Sequence, residues 1–208
     1  MNKKLMIIGA GGHGKVVADI ALLLNRYKEI AFLDDNENIK TALSFKVIGK
    51  TDIASLYINE YDFFIAVGNS YLRRKFTENL ISMGANLATL IHPSAKIGSE
   101  VQIGLGTVIM AGAVINCLSR IGCGCIINTK SSVDHECAID DYVHLSPGVT
   151  LSGNVSVGRG SWLCSGSIIS NDVKIVAETI IGAGAVVIKD INTPGVYVGN
   201  PAKFIKSI

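Results

Sequence analysis

The 208-residue sequence predicts an α/β domain of βαβ type followed by a parallel β-helix of six-residue repeats. Two observations predict this. Every sixth residue from Ile91 to Val187 is aliphatic, running through Ile97, Ile109, Ile127, Leu145, Leu163 and Ile181 without a break. Neither the 3.6-residue period of a helix nor the 2-residue period of a strand produces that spacing, whereas a coil with three short faces of about six residues does. Ahead of Ile91 the period is absent, and a glycine-rich turn stands directly behind the first apolar run. The expected division is 1–90 for the α/β domain and 91–208 for the coil with its tail. The join lies near His92-Pro93, because proline restricts the residue before it.

In the first domain, residues 4–8 read as a strand and 14–25 as a helix with Val16, Val17, Ile20 and Leu24 on one face. Residues 30–33 and 62–67 read as further strands, 71–83 as a second helix, and 86–91 return the chain to the coil. The turn Gly9-Ala10-Gly11-Gly12-His13-Gly14 fits G-x-G-x-x-G between strand and helix, and Asp34 and Asp35 end the second strand. Glycines let backbone N–H groups approach phosphate oxygens, and a helix N-terminus attracts the anion. An acidic pair at that strand end accepts hydrogen bonds from ribose hydroxyls or a base. The same glycines would also serve a bare turn. A nicotinamide dinucleotide is the rival ligand, but the domain is about half of a full dinucleotide-binding unit. A long coil also has no place in hydride transfer. A small nucleotide-phosphate site, such as one for a nucleotide-activated sugar, fits better.

In the second domain the periodic aliphatic residue points into a prism and stacks on its equivalent about 4.8 Å away. Four residues later stands a small side chain or Val, as at Thr107, Ala113, Ser119, Ser131, Ser161 and Ser167, suited to a narrow interior corner. Gly98, Gly104, Gly122, Gly158 and Gly182 directly follow an aliphatic position, which reads as a tight bend where a Cβ is costly. Val108, Val114, Ile126, Ile168 and Val186 fall on outward positions. They predict packing against other copies, for which a threefold ring is the closed solution. They would equally serve to hold strand conformation.

Charged residues make up only 17% of the chain and the net charge is +2, so neither nucleic acid nor an anionic membrane is an expected partner. No apolar run approaches the ~20 residues of a membrane span, and membrane insertion is not expected. The apolar run after Lys3 and Lys4 is short and leads into the glycine turn, so it reads as a strand and not a signal peptide. Five cysteines, an odd number, read as reduced thiols in a cytoplasmic protein. Cys123 and Cys125 form C-x-C, but no second pair has zinc spacing, so no metal is expected.

Four histidines are present: His13, His92, His135 and His144. His13 sits in the phosphate turn, where it would donate to a pyrophosphate or simply fill the turn. His92 precedes Pro93 at the join and reads as structural. His135 lies two positions past the inward Val133, hence near a corner and pointing outward, with Asp134 and Glu136 on either side. Either carboxylate would hold the imidazole in one tautomer and raise its basicity. An exposed His beside an acid is also an ordinary surface feature. His144 follows half a coil later. No G-x-S-x-G occurs, which favours direct transfer with a general base over a covalent acyl-enzyme.

The coil, the segment from Asn128 to Cys137 and the ending Gly195-Val196-Tyr197-Val198-Gly199-Asn200-Pro201 resemble the hexapeptide-repeat acyltransferases. With Gly9 to Gly14, Phe32-Leu33-Asp34-Asp35 and the run Tyr61 to Asn69, the chain is similar to one branch of them. That branch comprises the nucleotide-sugar N-acetyltransferases of bacillosamine type and the sialic acid O-acetyltransferases. The resemblance implies a homotrimer of left-handed β-helices with acetyl-CoA in the groove between neighbouring coils. It implies that Gly11, Gly12 and His13 meet the phosphates, Asp34 and Asp35 the base or ribose, and Gly68 the ligand backbone, while Asn128 helps hold the sugar. It makes His135 the general base and Glu136 its partner. It places His144, Ser165 and Ala183 against acetyl-CoA and the Gly153 amide at the oxyanion. Ser165 and Ala183 depart from the larger apolar residue and the glycine expected there, which leaves main-chain contacts.

The expected activity is acetyl-CoA-dependent N-acetylation of a nucleotide-linked amino sugar, UDP-linked and 4-amino, in bacterial surface glycan synthesis. O-acetylation of sialic acid is the nearest alternative. A nucleotide-sugar-binding scaffold without catalysis is another. A γ-type carbonic anhydrase would need three His ligands, and His135 with His144 falls short.

Overall fold

The computed structural model describes residues 3–208, which fall into two compact units divided between Pro93 and Ser94. The first unit begins with β1 (Lys3–Ile8), α1 (Gly12–Leu23) and β2 (Tyr27–Leu33). There follow β3 (Thr41–Ala42), β4 (Phe45–Gly49), a 3-10 turn (Thr51–Tyr57), β5 (Tyr61–Ile65), α2 (Ser70–Ser82) and β6 (Asn86–Leu87). The sheet order is β3-β4-β2-β1-β5-β6, parallel throughout except for the β3–β4 hairpin. Met6, Ile8, Leu33, Phe63, Ile65 and Leu80 form one buried cluster. Completely burying a side chain of this size stabilises by about 1.5–3 kcal/mol.

Three details differ from the sequence reading. The first helix starts at Gly12, and its buried residues are Gly14, Val17, Ala18, Ile20 and Ala21. Val16 is exposed, because it lies one step round the helix from Val17 and only one of the two can face the sheet. Residues 41–57 carry a hairpin and a 3-10 turn that were not anticipated. Phe45-Lys46-Val47-Ile48-Gly49 is too short and too little alternating to stand out.

The second unit is a left-handed parallel β-helix. Each coil takes eighteen residues and contributes one two-residue strand to each of three sheets, so Ile109 pairs in register with Ile127, Ile127 with Leu145, and Leu145 with Leu163. The same offset links Ile115, Val133, Leu151 and Ile169 on the second face, and Ile121, Ile139, Val157 and Ile175 on the third. The aliphatic residues of the six-residue series from Ile109 to Val187 are all buried. At the corners, small polar side chains close the interior by bonding to the main chain. Ser119 Oγ donates to Asp134 O at 2.8 Å and accepts from Cys137 N at 3.2 Å, and Thr107 does the same for Gly122 O and Cys125 N.

The turns obey a rule that glycine content alone did not reveal. Every sixth residue from Glu100 to Gly184 has a left-handed φ of about +54° to +70°, including Leu118, Lys130, Glu136, Tyr142 and Glu178. This conformation costs a non-glycine residue roughly 1–2 kcal/mol, so the coil imposes it against local preference. Gly98, Gly104, Gly122, Gly158 and Gly182 do not have it. Their glycine has a different reason: a Cβ on Gly104 would lie 2.5 Å from main-chain atoms of the next coil, and one on Gly98 or Gly122 2.6 Å, while one on Gly182 would lie 2.7 Å from the Val198 side chain. The outward apolar residues also divide. Val108 and Ile126 are already buried within one chain, whereas Ile168 remains exposed.

We expect Leu118→Gly to leave stability unchanged or raise it by up to about 1 kcal/mol in urea unfolding, since it relieves a left-handed Leu. Gly158→Ala should destabilise by at least that much, because its Cβ would enter the main chain at Ala177.

Candidate active site

In the α/β unit the chain order reverses between β1 and β5, which lie side by side. The crevice at the C-terminal ends of such strands is where open α/β sheets bind ligands. Gly9 to His13 leave β1 there, and Val67 and Gly68 leave β5. Gly9 adopts φ +101°, and a Cβ on it would meet Ala66 O at 3.0 Å. A Cβ on Gly14 would enter Gly9 O, so glycine at 14 lets helix and turn pack. Gly11 and Gly12 are exposed with open space around both. Gly11 caps α1 without a side-chain bond, and no acidic residue stands in the first turn. The helix therefore presents main-chain N–H groups and its positive dipole end.

Asp34 accepts from Ala10 N at 2.7 Å and Asn36 N at 2.8 Å, so it braces the glycine turn. Asp35 accepts from Thr51 N at 2.9 Å and Thr51 Oγ1 at 2.8 Å. Both carboxylates thus carry structural bonds. Asp34 also borders a pocket of about 210 Å³ with Asn36, Lys40, Val47 and Lys50, large enough for part of a nucleotide. His13 Nε2 is buried with no hydrogen-bond partner among the described residues. Burial, helped by the charge of Arg73, pushes the imidazole down to about 4. Arg73 is itself buried and donates to Val67 O at 3.0 Å and Gly68 O at 2.8 Å. It shapes the loop after β5, yet in sequence it is one basic residue on an amphipathic helix and gives no signal.

In the coil, His135 and Glu136 occupy the corner between Ser132–Val133 and Ala138–Ile139. The His135 side chain is 52% exposed, and its Nδ1 lies 3.0 Å from Glu136 Oε2. Side chains adjacent in a strand point to opposite faces. These two meet because Glu136 is a left-handed corner residue, φ +59°. Of the two flanking carboxylates, Glu136 is therefore the one that holds the ring. Asp134 serves the main chain: its Oδ1 accepts from Asn116 Nδ2 and from His135 N, both at 2.8 Å. These bonds, Asn116 first, hold its carboxyl below the usual range. One coil onward, Asn154 N donates to His135 O at 2.9 Å and Asn154 Nδ2 to Asp172 Oδ1 at 2.9 Å. Asn116 and Asn154 were missed as supports, although eighteen-residue spacing from Asp134 and Asp172 marks them.

His144 lies on a different face. Its Nε2 is 3.3 Å from Asn128 Nδ2, and its ring stacks on Trp162 at 6.0 Å with 7° between planes. Trp162 Nε1 donates to Ser146 Oγ at 2.8 Å. Ser165 and Ala183 are exposed on successive coils at the turn beyond this face, where Gly184 N donates to Ser165 O. The structure so joins Asn128 with His144, and Ser165 with Ala183. Within one chain it places His135 on another edge of the prism. Gly153 stacks one coil beyond His135. Among the described residues no cluster of three or more His, Cys, Asp or Glu suits a metal ion, and Cys125 turns its thiol inward to Asp140 O at 3.1 Å. No helix is long and apolar enough to cross a membrane.

Residues 4–80 match the family model described as the PglD N-terminal domain. The chain is 30% identical over 186 residues to GDP-perosamine N-acetyltransferase of Escherichia coli, covering 86% of this chain and 82% of that protein. It is 41% identical over 113 residues to UDP-N-acetylbacillosamine N-acetyltransferase of Bacillus subtilis, 52% of each. The acetyltransferase domain of PglB from Neisseria gonorrhoeae, solved with acetyl coenzyme A, superposes with a TM-score of 0.95 at 43% identity, covering 99% of this chain and 100% of that one. A histidine mutant of perosamine N-acetyltransferase from Caulobacter crescentus, solved with CoA and GDP-perosamine, gives 0.93 at 34% identity, covering 98% and 97%.

An NMR titration of the ligand-free protein should show His13 with a midpoint near 4. Its unfolded-state value is about 6.5, so stability should fall as pH drops from 6.5 towards 4, where the unfolded chain binds the extra proton. A bound diphosphate should raise the midpoint.

Proposed function

The chain belongs to the PglD-type family of hexapeptide-repeat sugar N-acetyltransferases, and we propose that it acetylates the 4-amino group of a UDP-linked sugar. The enzyme is an acetyltransferase that uses acetyl-CoA, and its acceptor is a nucleotide-linked amino sugar. The observation that carries the mechanism is the exposed His135 imidazole, oriented through Nδ1 by Glu136 at 3.0 Å. That bond puts a proton on Nδ1 and leaves Nε2 basic.

His135 Nε2 takes a proton from the sugar amine as the nitrogen bonds to the thioester carbon. The carbonyl oxygen gathers negative charge, and the Gly153 N–H is the donor proposed to meet it. As the carbon–sulfur bond breaks, the imidazolium returns its proton to the departing thiolate. Glu136 stabilises the imidazolium in between. A base of this kind typically contributes about 10²–10⁴ in rate, and alignment of amine and thioester supplies much of the remainder. His144, Ser165 and Ala183 hold acetyl-CoA, with Asn128 placed for the sugar. In the α/β unit, Gly11, Gly12 and His13 hold the diphosphate, with Asp34 and Asp35 beside the base or ribose and Gly68 along the ligand. Neutral His13 fits this role, since binding an anion supplies the partner that Nε2 lacks. Association as a homotrimer and a place in surface glycan synthesis complete the proposed reading.

A thiol-release assay with acetyl-CoA against UDP-, GDP- and dTDP-linked 4-amino sugars tests it. Turnover should be greatest with a UDP sugar, and preference for GDP or for free sialic acid would refute that choice. His135→Ala should lower kcat at least about 10²-fold with little change in acetyl-CoA binding. An unaltered kcat would remove His135 from the mechanism. Asp35→Ala should act chiefly on the nucleotide-sugar KM, and a collapse of kcat at constant KM would place the nucleotide elsewhere.

A further inference from the structure

Gly153 has no backbone reason to be glycine. Its φ lies outside the left-handed region that recurs at the coil corners. Nor would a Cβ there strike the main chain, as it would at Gly98, Gly104 or Gly122. The three atoms nearest to a Cβ on Gly153 all belong to the His135 ring: Cε1 and Nε2 at 2.6 Å and Nδ1 at 3.3 Å.

We propose that Gly153 is a positioning residue whose missing side chain forms the shelf on which the His135 imidazole lies. This rests on the reading of His135 as the base. The peptide of His135 is pinned on both sides, by Asp134 Oδ1 at its N–H and by Asn154 N at its carbonyl. The ring then has only its two side-chain torsions. Glu136 restrains it through Nδ1 at one edge. Gly153, one coil away, leaves open the space against which the Cε1–Nε2 edge of the ring rests. With a methyl group at 153 the ring must retreat by roughly 0.8 Å to reach the 3.4 Å of ordinary contact. A displacement near 1 Å at a catalytic group is enough to cost up to about 10²-fold in rate. This role differs from oxyanion donation by the Gly153 N–H, which alanine retains.

The test is a cycle of Gly153→Ala, His135→Ala and the double variant, read by kcat, acetyl-CoA binding, melting temperature and the side-chain ¹⁵N shifts of His135. Gly153→Ala should lower kcat about tenfold to a hundredfold, keep acetyl-CoA affinity, and move the imidazole resonances. The double variant should be no more than about twofold slower than His135→Ala, because the ring that alanine displaces is already gone. Wild-type kcat with unmoved imidazole resonances in Gly153→Ala overturns the proposal, and so do losses that multiply in the double variant. Should Gly153→Ala fold poorly, the ring clash predicts that His135→Ala restores its melting temperature; a double variant equally unstable refutes it. Full activity of His135→Ala would instead sink the catalytic reading, and the imidazole shifts of Gly153→Ala would still decide the shelf.

Discussion

Pairing between each residue and the one eighteen positions later holds the coil together, and nearly every other feature of that unit depends on it. One coil sits on the next at the spacing of paired strands, about 4.8 Å. Inward side chains must therefore stack on their own kind, as Ile109, Ile127, Leu145, Leu163 and Ile181 do. The chain has six residues in which to cross a face and turn a corner. It turns by placing one residue per corner in the left-handed region, whatever its side chain. The strain is repeated at each corner and offset by the continuous apolar stack inside.

The same constraint builds the corner that carries His135. A left-handed Glu136 brings its carboxylate beside its immediate neighbour, His135. The coil before supplies Asn116 to hold Asp134, and the coil after supplies Asn154 and the bare surface of Gly153. None of these residues is near His135 in sequence except Asp134 and Glu136. The α/β unit works by another principle. There the main chain itself lines the crevice at the strand ends, and the buried Arg73 and half-buried Asp34 serve to set its shape.

Much of this was legible in the residues. The six-residue series identified the coil, and the glycine turn with Asp34 identified the strand-end crevice. His135 stood out as an outward imidazole between two acids, Asp134 and Glu136. What escaped notice depends on contacts that pattern does not encode. The hairpin Thr41–Ala42 with Phe45–Gly49 is too short to carry a period. Val16 and Val17 look equivalent until the sheet chooses between them. Glycines after the aliphatic positions suggested bends, whereas the structure shows that Gly98, Gly104, Gly122 and Gly158 keep a Cβ out of the neighbouring main chain. Left-handed corners at Leu118 or Tyr142 run against residue preference, so only the closed coil reveals them.

Because one corner geometry recurs along the prism, the place of the imidazole is a matter of decoration. Cys117, His135, Gly153 and Asn171 occupy equivalent stations on successive coils. A histidine, an acid after it and a glycine one coil on form a small cassette that such a scaffold could carry at another level. Reaction site and scaffold length are then separable variables. Evolution, or a designer, could slide the cassette along the axis to suit longer or shorter acceptors without rebuilding the interior.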